Sequence, residues 1–141
     1  MAFFPEGMPL PAPDHVDGPF WEGCREQKLM IQRCAKCGTL RHSPDVICYK
    51  CLSFDYDWKQ VSGKGKVWSY IHCVYPAHPA IKEFGPYNVV LVELDDADGI
   101  RMVGNLVNTP FEEIKAGMPV EVYWDQAADD VVLPLWKRAG A

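Results

Sequence analysis

Four cysteines with the spacing of metal ligands are the residues best suited to do chemistry in this chain. They form two pairs, Cys34-x-x-Cys37 and Cys48-x-x-Cys51, with ten residues between the pairs. A C-x-x-C turn directs two thiolates at one ion, and two such turns complete a tetrahedral shell with Zn–S bonds of about 2.3 Å. Four thiolates leave no open position for water. The spacing therefore predicts one structural zinc ion, with two disulfides or iron in a rubredoxin-like shell as the alternatives.

The other cysteines and the histidines do not form a catalytic set in the sequence. Cys24 and Cys73 are typical of small buried apolar residues. His42 follows the first cysteine pair and could bind the metal only by displacing a cysteine. His72 lies on a predicted strand, where a satisfied polar residue is the ordinary interpretation. His78 lies in a loop stiffened by prolines, which makes it the histidine best placed to contact a ligand or a partner.

An acidic cluster precedes Gly99 and consists of Asp95, Asp96 and Asp98. Neighbouring carboxylates can serve as acid and base or can bind an ion. Aspartate also favours tight turns, and Asp98-Gly99 between two apolar runs is a strong hairpin signal. We therefore expect a solvated turn. The sequence has no nucleophile-elbow, zinc-protease, P-loop or dinucleotide motif, so no catalytic residue is assigned.

The N-terminal segment, residues 1–28, is predicted to contain an extended arm and one helix. Four prolines within residues 1–15 favour an arm that does not pack. Asp17 can cap a helix that runs to about residue 28. The apolar residues of this helix lie roughly along one face: Phe20, Trp21, Cys24 and Leu29. This stripe can dock on the chain's own core or on a partner, and the sequence favours neither interpretation.

Residues 29–53 are predicted to form a rubredoxin-like zinc ribbon, and residues 54–141 an OB-fold barrel. The ribbon starts with a short strand and is too small to bury a core, so the ion must supply folding energy. Tight turns are predicted at Lys64-Gly65 and Asp98-Gly99, and one helical turn at 111–116. Strands are predicted near 54–60, 65–75, 87–95, 100–107, 119–125 and 130–136. Five or six short strands with one small helix predict a mainly β fold that ends in a Greek-key barrel of the OB type.

Composition and charge restrict the class of partner. Apolar residues make up 48% of the chain, with 5 Trp, 6 Tyr and 6 Phe, which is enough for a core. The 19 acidic residues outnumber the 14 basic ones, which argues against a nucleic-acid surface. The N-terminus lacks the basic region of a signal peptide, and no apolar run approaches the roughly 18 residues of a membrane span. The cysteine usage fits a reducing cytoplasm.

The order of these parts resembles the zinc-ribbon/OB-fold family known as a domain of unknown function and found beside thiolase-like enzymes of acyl-CoA metabolism. The resemblance covers about residues 18–136. It rests on PFWEG at 19–23, QRCAKCG at 32–38, CYKC at 48–51, GKGKV at 63–67, PYNVVLVEL at 86–94 and GMPVEV at 117–122. The chain departs from the family at Ser43, Pro44 and Asp45, where relatives often carry Pro-Pro-Arg, so any CoA contact made by that arginine is in doubt here.

The resemblance implies an accessory subunit of a thiolase-type acyltransferase or aldolase acting on acyl-CoA, with steroid side-chain or aromatic acid degradation as the pathways in which such subunits are expected. The larger partner would supply catalysis, and this chain would help to hold the CoA or acyl group in a hetero-oligomer. Candidate partner-contacting or ligand-contacting residues are Phe20, Trp21, His78 and Tyr87. The alternatives are a stand-alone module that binds acyl-CoA or single-stranded nucleic acid, and an enzyme in its own right.

Overall fold

The computed structural model describes residues 2–141 and contains one helix and two antiparallel sheets. In chain order the elements are α1 (Gly18–Arg25), β1 (Leu29–Cys34), β2 (Leu40–Arg41), β3 (Tyr56–Val61), β4 (Lys64–Cys73), β5 (Tyr87–Leu94), β6 (Arg101–Gly104), β7 (Pro119–Ala128) and β8 (Val131–Arg138). Single 3-10 turns occur at Pro79–Ile81 and Phe111–Glu113. Within residues 2–141, no helix is long and apolar enough to cross a membrane.

The first sheet has the order β2-β1-β3 and contains the metal-binding segment. Strand β3 pairs with β1 along its whole length, from Leu29 opposite Val61 to Cys34 opposite Tyr56. The sequence analysis had grouped this strand with the barrel. Strand β2 pairs with only two residues of β1 on one edge, so most of the interstrand hydrogen bonding of β1 comes from β3 on the other edge. The three segment boundaries given above remain predictions.

The second sheet has the order β6-β5-β4-β7-β8 and closes into a barrel. Closure runs through a parallel bridge between Leu106 and Trp136. The Trp136 N–H donates to the Asn105 carbonyl at 2.9 Å, and its carbonyl accepts from the Val107 N–H at 2.8 Å. Trp136 is fully buried and fills the core together with Val67, Val90, Val92 and Val120. The predicted mainly β fold with an OB-type barrel is confirmed.

Two turn predictions had different outcomes. The Asp98-Gly99 hairpin is confirmed, because both residues have positive φ (51° and 79°) and the Ile100 N–H donates to the Ala97 carbonyl, as in a type I′ turn. The prediction of a turn at Lys64-Gly65 is wrong. The chain reverses one step earlier, at Gly63 with φ 75°, and Lys64 already begins β4.

Helix α1 is shorter than predicted and ends at Arg25. Gln27 takes a left-handed conformation, and the Gln27 and Lys28 N–H groups donate back to the Cys24 and Gly23 carbonyls, which is a Schellman stop. Phe20 is 4% exposed and Cys24 is fully buried, both within the core that α1 shares with β1 and β8. The apolar stripe therefore docks on the chain's own core through these two residues.

The N-terminal arm packs on the barrel, contrary to the prediction. The ring of Phe4 lies 5.3 Å from that of Phe84 and 5.4 Å from that of Tyr87. The Phe3 N–H donates to the carboxylate of Asp125 at 3.1 Å. The prolines prevent regular structure, as expected, but the two phenylalanines before them have enough apolar surface to hold the arm in place.

Candidate metal centre and neighbouring groove

The two C-x-x-C turns have the same backbone hydrogen bonds. In the first, the Cys34 N–H donates to the Thr39 carbonyl and the Gly38 N–H donates to the Cys34 carbonyl, each at 2.9 Å. In the second, Cys48 bonds in the same way with Ser53 and Leu52. Each turn therefore has a residue with positive φ at the same place. The first turn has Gly38 (76°) and the second has Leu52 (63°).

The four thiols converge on one point. The Sγ atoms of Cys34, Cys37, Cys48 and Cys51 all lie within 4.8 Å of one another. The distance is 3.5 Å between Cys34 and Cys51 and 3.7 Å between Cys37 and Cys48. A tetrahedral shell with Zn–S bonds of 2.3 Å needs sulfurs about 3.8 Å apart. The donor set and its spacing therefore fit a closed Zn(Cys)₄ site.

Local hydrogen bonds lower the pKa of two of the four thiols. The side-chain hydroxyl of Thr39, 3.1 Å away, and the Thr39 backbone N–H lower the pKa of Cys37 to about 6. The Cys51 and Lys50 N–H groups lower the pKa of Cys48. For Cys51 the Ser53 N–H acts in the same direction, but desolvation and hydrogen bonds with the other thiols outweigh it and raise the pKa to about 11. A divalent cation favours the thiolate form at every position.

A buried polar pair holds the loop between the two turns. Gln32 on β1 and Arg41 on β2 are both buried. The Gln32 Oε1 accepts from the Arg41 Nε at 2.5 Å and from the Asp45 N–H at 2.8 Å. The sequence does not predict the burial of either residue. The only signal was a pair of polar residues on short strands, and such residues are more often exposed.

The second feature is an open apolar groove of about 320 Å³ where α1, the ribbon and the barrel meet. Phe20 and Trp21 line it from the helix, His42 and Pro44 from the loop between the cysteine pairs, and Val103 from β6. Burial lowers the pKa of His42, whose ring lies 5.2 Å from that of Phe20. The imidazole is therefore neutral at pH 7 and adds to the apolar lining.

The remaining predicted contact residues lie elsewhere. The His78 Nδ1 accepts from the Ala80 N–H at 3.1 Å and so caps the 3-10 turn Pro79–Ile81. Tyr87 packs against Phe4 of the arm, and desolvation raises its pKa. The structure thus brings Phe20 and Trp21 together at the groove and places His78 and Tyr87 outside it.

Polar side chains also line the groove, namely Asp17 before α1, and His42 and Ser43 in the loop between the cysteine pairs. Across residues 2–141, the four cysteines are the only cluster of three or more His, Cys, Asp or Glu side chains that could hold a metal. His72 stacks on Phe111 at 4.1 Å. Asp96 accepts hydrogen bonds from the Ser62 N–H (2.9 Å) and hydroxyl (3.1 Å), so it ties β3 to the β5–β6 turn and is not merely solvated, as had been expected.

Comparison with known proteins identifies the family. The family model of the ChsH2 rubredoxin-like zinc ribbon domain matches residues 21–57, and that of the ChsH2 C-terminal OB-fold domain matches residues 58–125. A DUF35 domain-containing scaffold protein of Methanocaldococcus jannaschii is 31% identical over 112 residues, which cover 78% of this chain and 77% of that protein. The chain belongs to the ChsH2 (DUF35) family.

Two further similarities concern proteins named after acyl-CoA enzymes. This ChsH2-family chain is 44% identical over 124 residues to a probable enoyl-CoA hydratase alpha subunit of Thermomonospora curvata, covering 87% of this chain and 38% of that protein. It is also similar to a chain of the solved Ltp2-ChsH2(DUF35) aldolase, with a TM-score of 0.81 and 42% identity over 92% of this chain and 98% of that chain. The chain spans about two fifths of the length of the curated hydratase subunits it matches.

The zinc prediction agrees with the family. The family model of the zinc ribbon domain matches a segment that contains all four cysteines, and their sulfurs have the spacing of a tetrahedral site. This ChsH2-family chain thus has the zinc ribbon and the four-cysteine cluster that indicate one structural zinc ion. When bound, the ion would hold the two turns together and offer no position to a substrate.

Proposed function

We propose that this chain is an accessory, non-catalytic subunit of a hetero-oligomeric thiolase-type or aldolase complex that acts on acyl-CoA. The observation that carries the proposal is the match to the aldolase chain, which extends over 98% of that chain. The match to the hydratase subunits extends over only about two fifths of their length. We therefore favour the aldolase-type assembly.

The site geometry supports an assembling role. The four thiolates form a closed metal site, which leaves no open position for a substrate. The polar residues that line the groove are Asp17, His42 and Ser43, and burial keeps His42 neutral. Under the proposal, the reacting group comes from the partner. Hydrogen bonds between Asp96 and Ser62 link the ribbon sheet to the barrel, which supports one continuous surface for a larger subunit. A thiolate-bound zinc ion supports a reducing compartment such as the cytoplasm.

We place the acyl part of the CoA thioester at the groove, close to the shared interface. The groove has a volume of about 320 Å³ and is lined by Phe20, Trp21 and Pro44, which suits an apolar group. The groove is open on one side, and this supports completion of the pocket by a partner. Trp21 is half-exposed and retains surface for such a contact.

Co-purification with an Ltp2-type protein, the kind named with the ChsH2 chain in the solved aldolase, tests the proposal. We expect the two proteins to elute as one complex and the acyl-CoA-cleaving activity of the partner to depend on this chain. A chain that never co-elutes with the partner and leaves its turnover unchanged would contradict the proposal. Turnover of an acyl-CoA by this chain alone would show that it is an enzyme in its own right.

A stand-alone binding module is the second candidate, and the apolar groove is the observation that favours it. Saturable binding of an acyl-CoA to the isolated chain would support a carrier. Salt-sensitive binding of an oligonucleotide would instead indicate a nucleic-acid module, which the excess of acidic residues does not favour.

A further inference from the structure

The middle of strand β5, residues 89–92, is apolar on both faces, which is unusual for a sheet with one face toward water. Its inward residues Asn88, Val90, Val92 and Leu94 are all buried in the barrel. Because successive side chains point to opposite faces, Val89 and Leu91 point outward. Antiparallel sheets with one solvated face alternate apolar and polar residues, whereas strands covered on both faces read as continuous apolar runs. The run VVLV at 89–92 is of the second kind.

The neighbouring strands extend this apolar surface outward. Ile71 on β4 is directly opposite Val89, and Val103 on β6 is directly opposite Leu91. Paired residues share a face, so the four side chains form one patch across three strands. We call the patch of Ile71, Val89, Leu91 and Val103 the outer apolar face. Ile71 is 57% exposed and Val103 is 63% exposed.

The outer apolar face has no charged side chain within it. The nearest charges belong to Arg101 and Glu93, which pair with each other at 3.2 Å. The Arg101 guanidinium also lies 3.7 Å above the ring of Trp68, so it is held at the border of the patch. A nucleic acid or a charged peptide would find no counter-charge here, whereas an uncharged apolar protein surface would match.

The patch is continuous with the groove, because Val103 belongs to both. Strand β4 also pairs with β7 only at Lys64, Gly65 and Lys66, and its later residues pair only with β5. An occupant of the outer apolar face would therefore lie beside both the groove and an open strand edge. A subunit seated there could close the groove around a bound acyl group.

We propose that the outer apolar face is the docking surface for an uncharged apolar surface of the thiolase-type partner subunit. This inference rests on the proposed function, which supplies the partner. Large apolar patches on otherwise polar proteins mark contact surfaces. Residues at the centre of such contacts dominate the binding energy. A lysine placed in the centre would bury an unpaired charge and weaken the complex.

The test compares Ile71→Lys and Val103→Lys with a matched control, Tyr49→Lys, which changes an equally exposed apolar residue at the second cysteine turn. Each variant is purified together with the same Ltp2-type protein that tests the proposed function. We expect each of the two face variants to bind the partner about 10- to 100-fold more weakly, and the control to bind normally. Zinc content and thermal unfolding of each free variant check that it folds.

The outcomes separate the two proposals. If the unaltered chain binds the partner and the folded face variants bind equally well, the docking surface is wrong and the proposed function stands. If the unaltered chain does not bind the partner, both proposals fail. If the isolated chain is a dimer that the face variants convert to monomers, a second copy occupies the face and the docking proposal is overturned. Loss of binding in Tyr49→Lys alone would place the interface on the ribbon.

Discussion

The two C-x-x-C turns differ in the residue that takes the positive φ, and this difference changes the conformational energy of the backbone. Gly38 takes its positive φ at no steric cost, whereas Leu52 takes the same conformation at a cost of about 1–2 kcal/mol. The side chain of Leu52 is also largely exposed, so its burial does little to offset this cost. The cysteine sulfurs alone cannot hold the second turn, since four converging thiolates would repel one another. The ion is what stabilises this arrangement.

Removal of one ligand should therefore unfold the ribbon locally. We expect Cys48→Ala to lose bound zinc and to leave residues 29–53 sensitive to protease, because the second turn loses its link to the first. Metal analysis and limited proteolysis measure both effects. Cys73→Ala is the control, since Cys73 lies on β4 outside the cluster. A Cys48→Ala protein with full zinc content and no new cleavage would mean that the cysteines do not form the site.

At the scale of elements, the close approach of β4 and β5 depends on one glycine. A Cβ atom on Gly65 would lie 2.4 Å from the Glu93 carbonyl oxygen, which is a backbone atom and cannot move aside. The position starts the pairing of β4 with β5 and also pairs with Val120 of β7. The sequence analysis took this glycine as part of a turn. Its actual role is to let two paired strands come close.

Gly65→Ala should be strongly destabilising, by about 1–3 kcal/mol or more, because the strands must separate to admit the methyl group. Urea unfolding at equilibrium measures the change. The matched control is Gly18→Ala at the start of α1, where a Cβ atom would meet nothing within 4 Å and alanine favours a helix. Equal stability of the two variants would contradict the close approach of β4 and β5.

At the scale of the whole molecule, the N-terminal arm joins distant parts of the barrel. The carboxylate of Asp125 is 2% exposed, and both of its oxygens accept from the Phe3 N–H. The aromatic rings of Phe3 and Phe4 cover Phe84. The arm thus supplies a hydrogen bond to a buried charge on β7 and an apolar cover for the loop before β5. It contributes to the fold even though it has no regular structure.

Deletion of residues 2–8 should lower the free energy of unfolding by about 1–3 kcal/mol, because a buried carboxylate loses its donor. In the shortened chain, Asp125→Asn should restore part of the loss, since a neutral amide is less costly to leave unpaired. In the full chain the same substitution should be destabilising. Thermal or urea unfolding of the four proteins gives the comparison. An unchanged stability after the deletion would show that the arm does not bind in solution.

The sequence predicted the features that depend on local chemistry and missed those that depend on distant contacts. The metal site of the four cysteines and the Asp98-Gly99 hairpin could be predicted, because ligand spacing and turn geometry are compatible with few other structures. The pairing of β3 with β1 could not be predicted, because the residue pattern of a strand does not show which strand pairs with it. The burial of Gln32 and Arg41 could not be predicted either, because it depends on how the strands pair. Packing of the arm depends on Phe84 and Asp125, which are far away in the chain.

The position of β3 has a consequence for how the chain can be divided. The two family models meet between residues 57 and 58, inside the strand Tyr56–Val61. A protein cut there would leave β1 paired with only two of the six residues of β3, and the other four would remain with the barrel without their partner strand. Neither fragment would therefore keep the structure that it has in the whole chain. Exchanging ribbons between relatives at that point would also mismatch β1 with a foreign β3. The unit that can be transplanted intact is the ribbon, β3 and the barrel together.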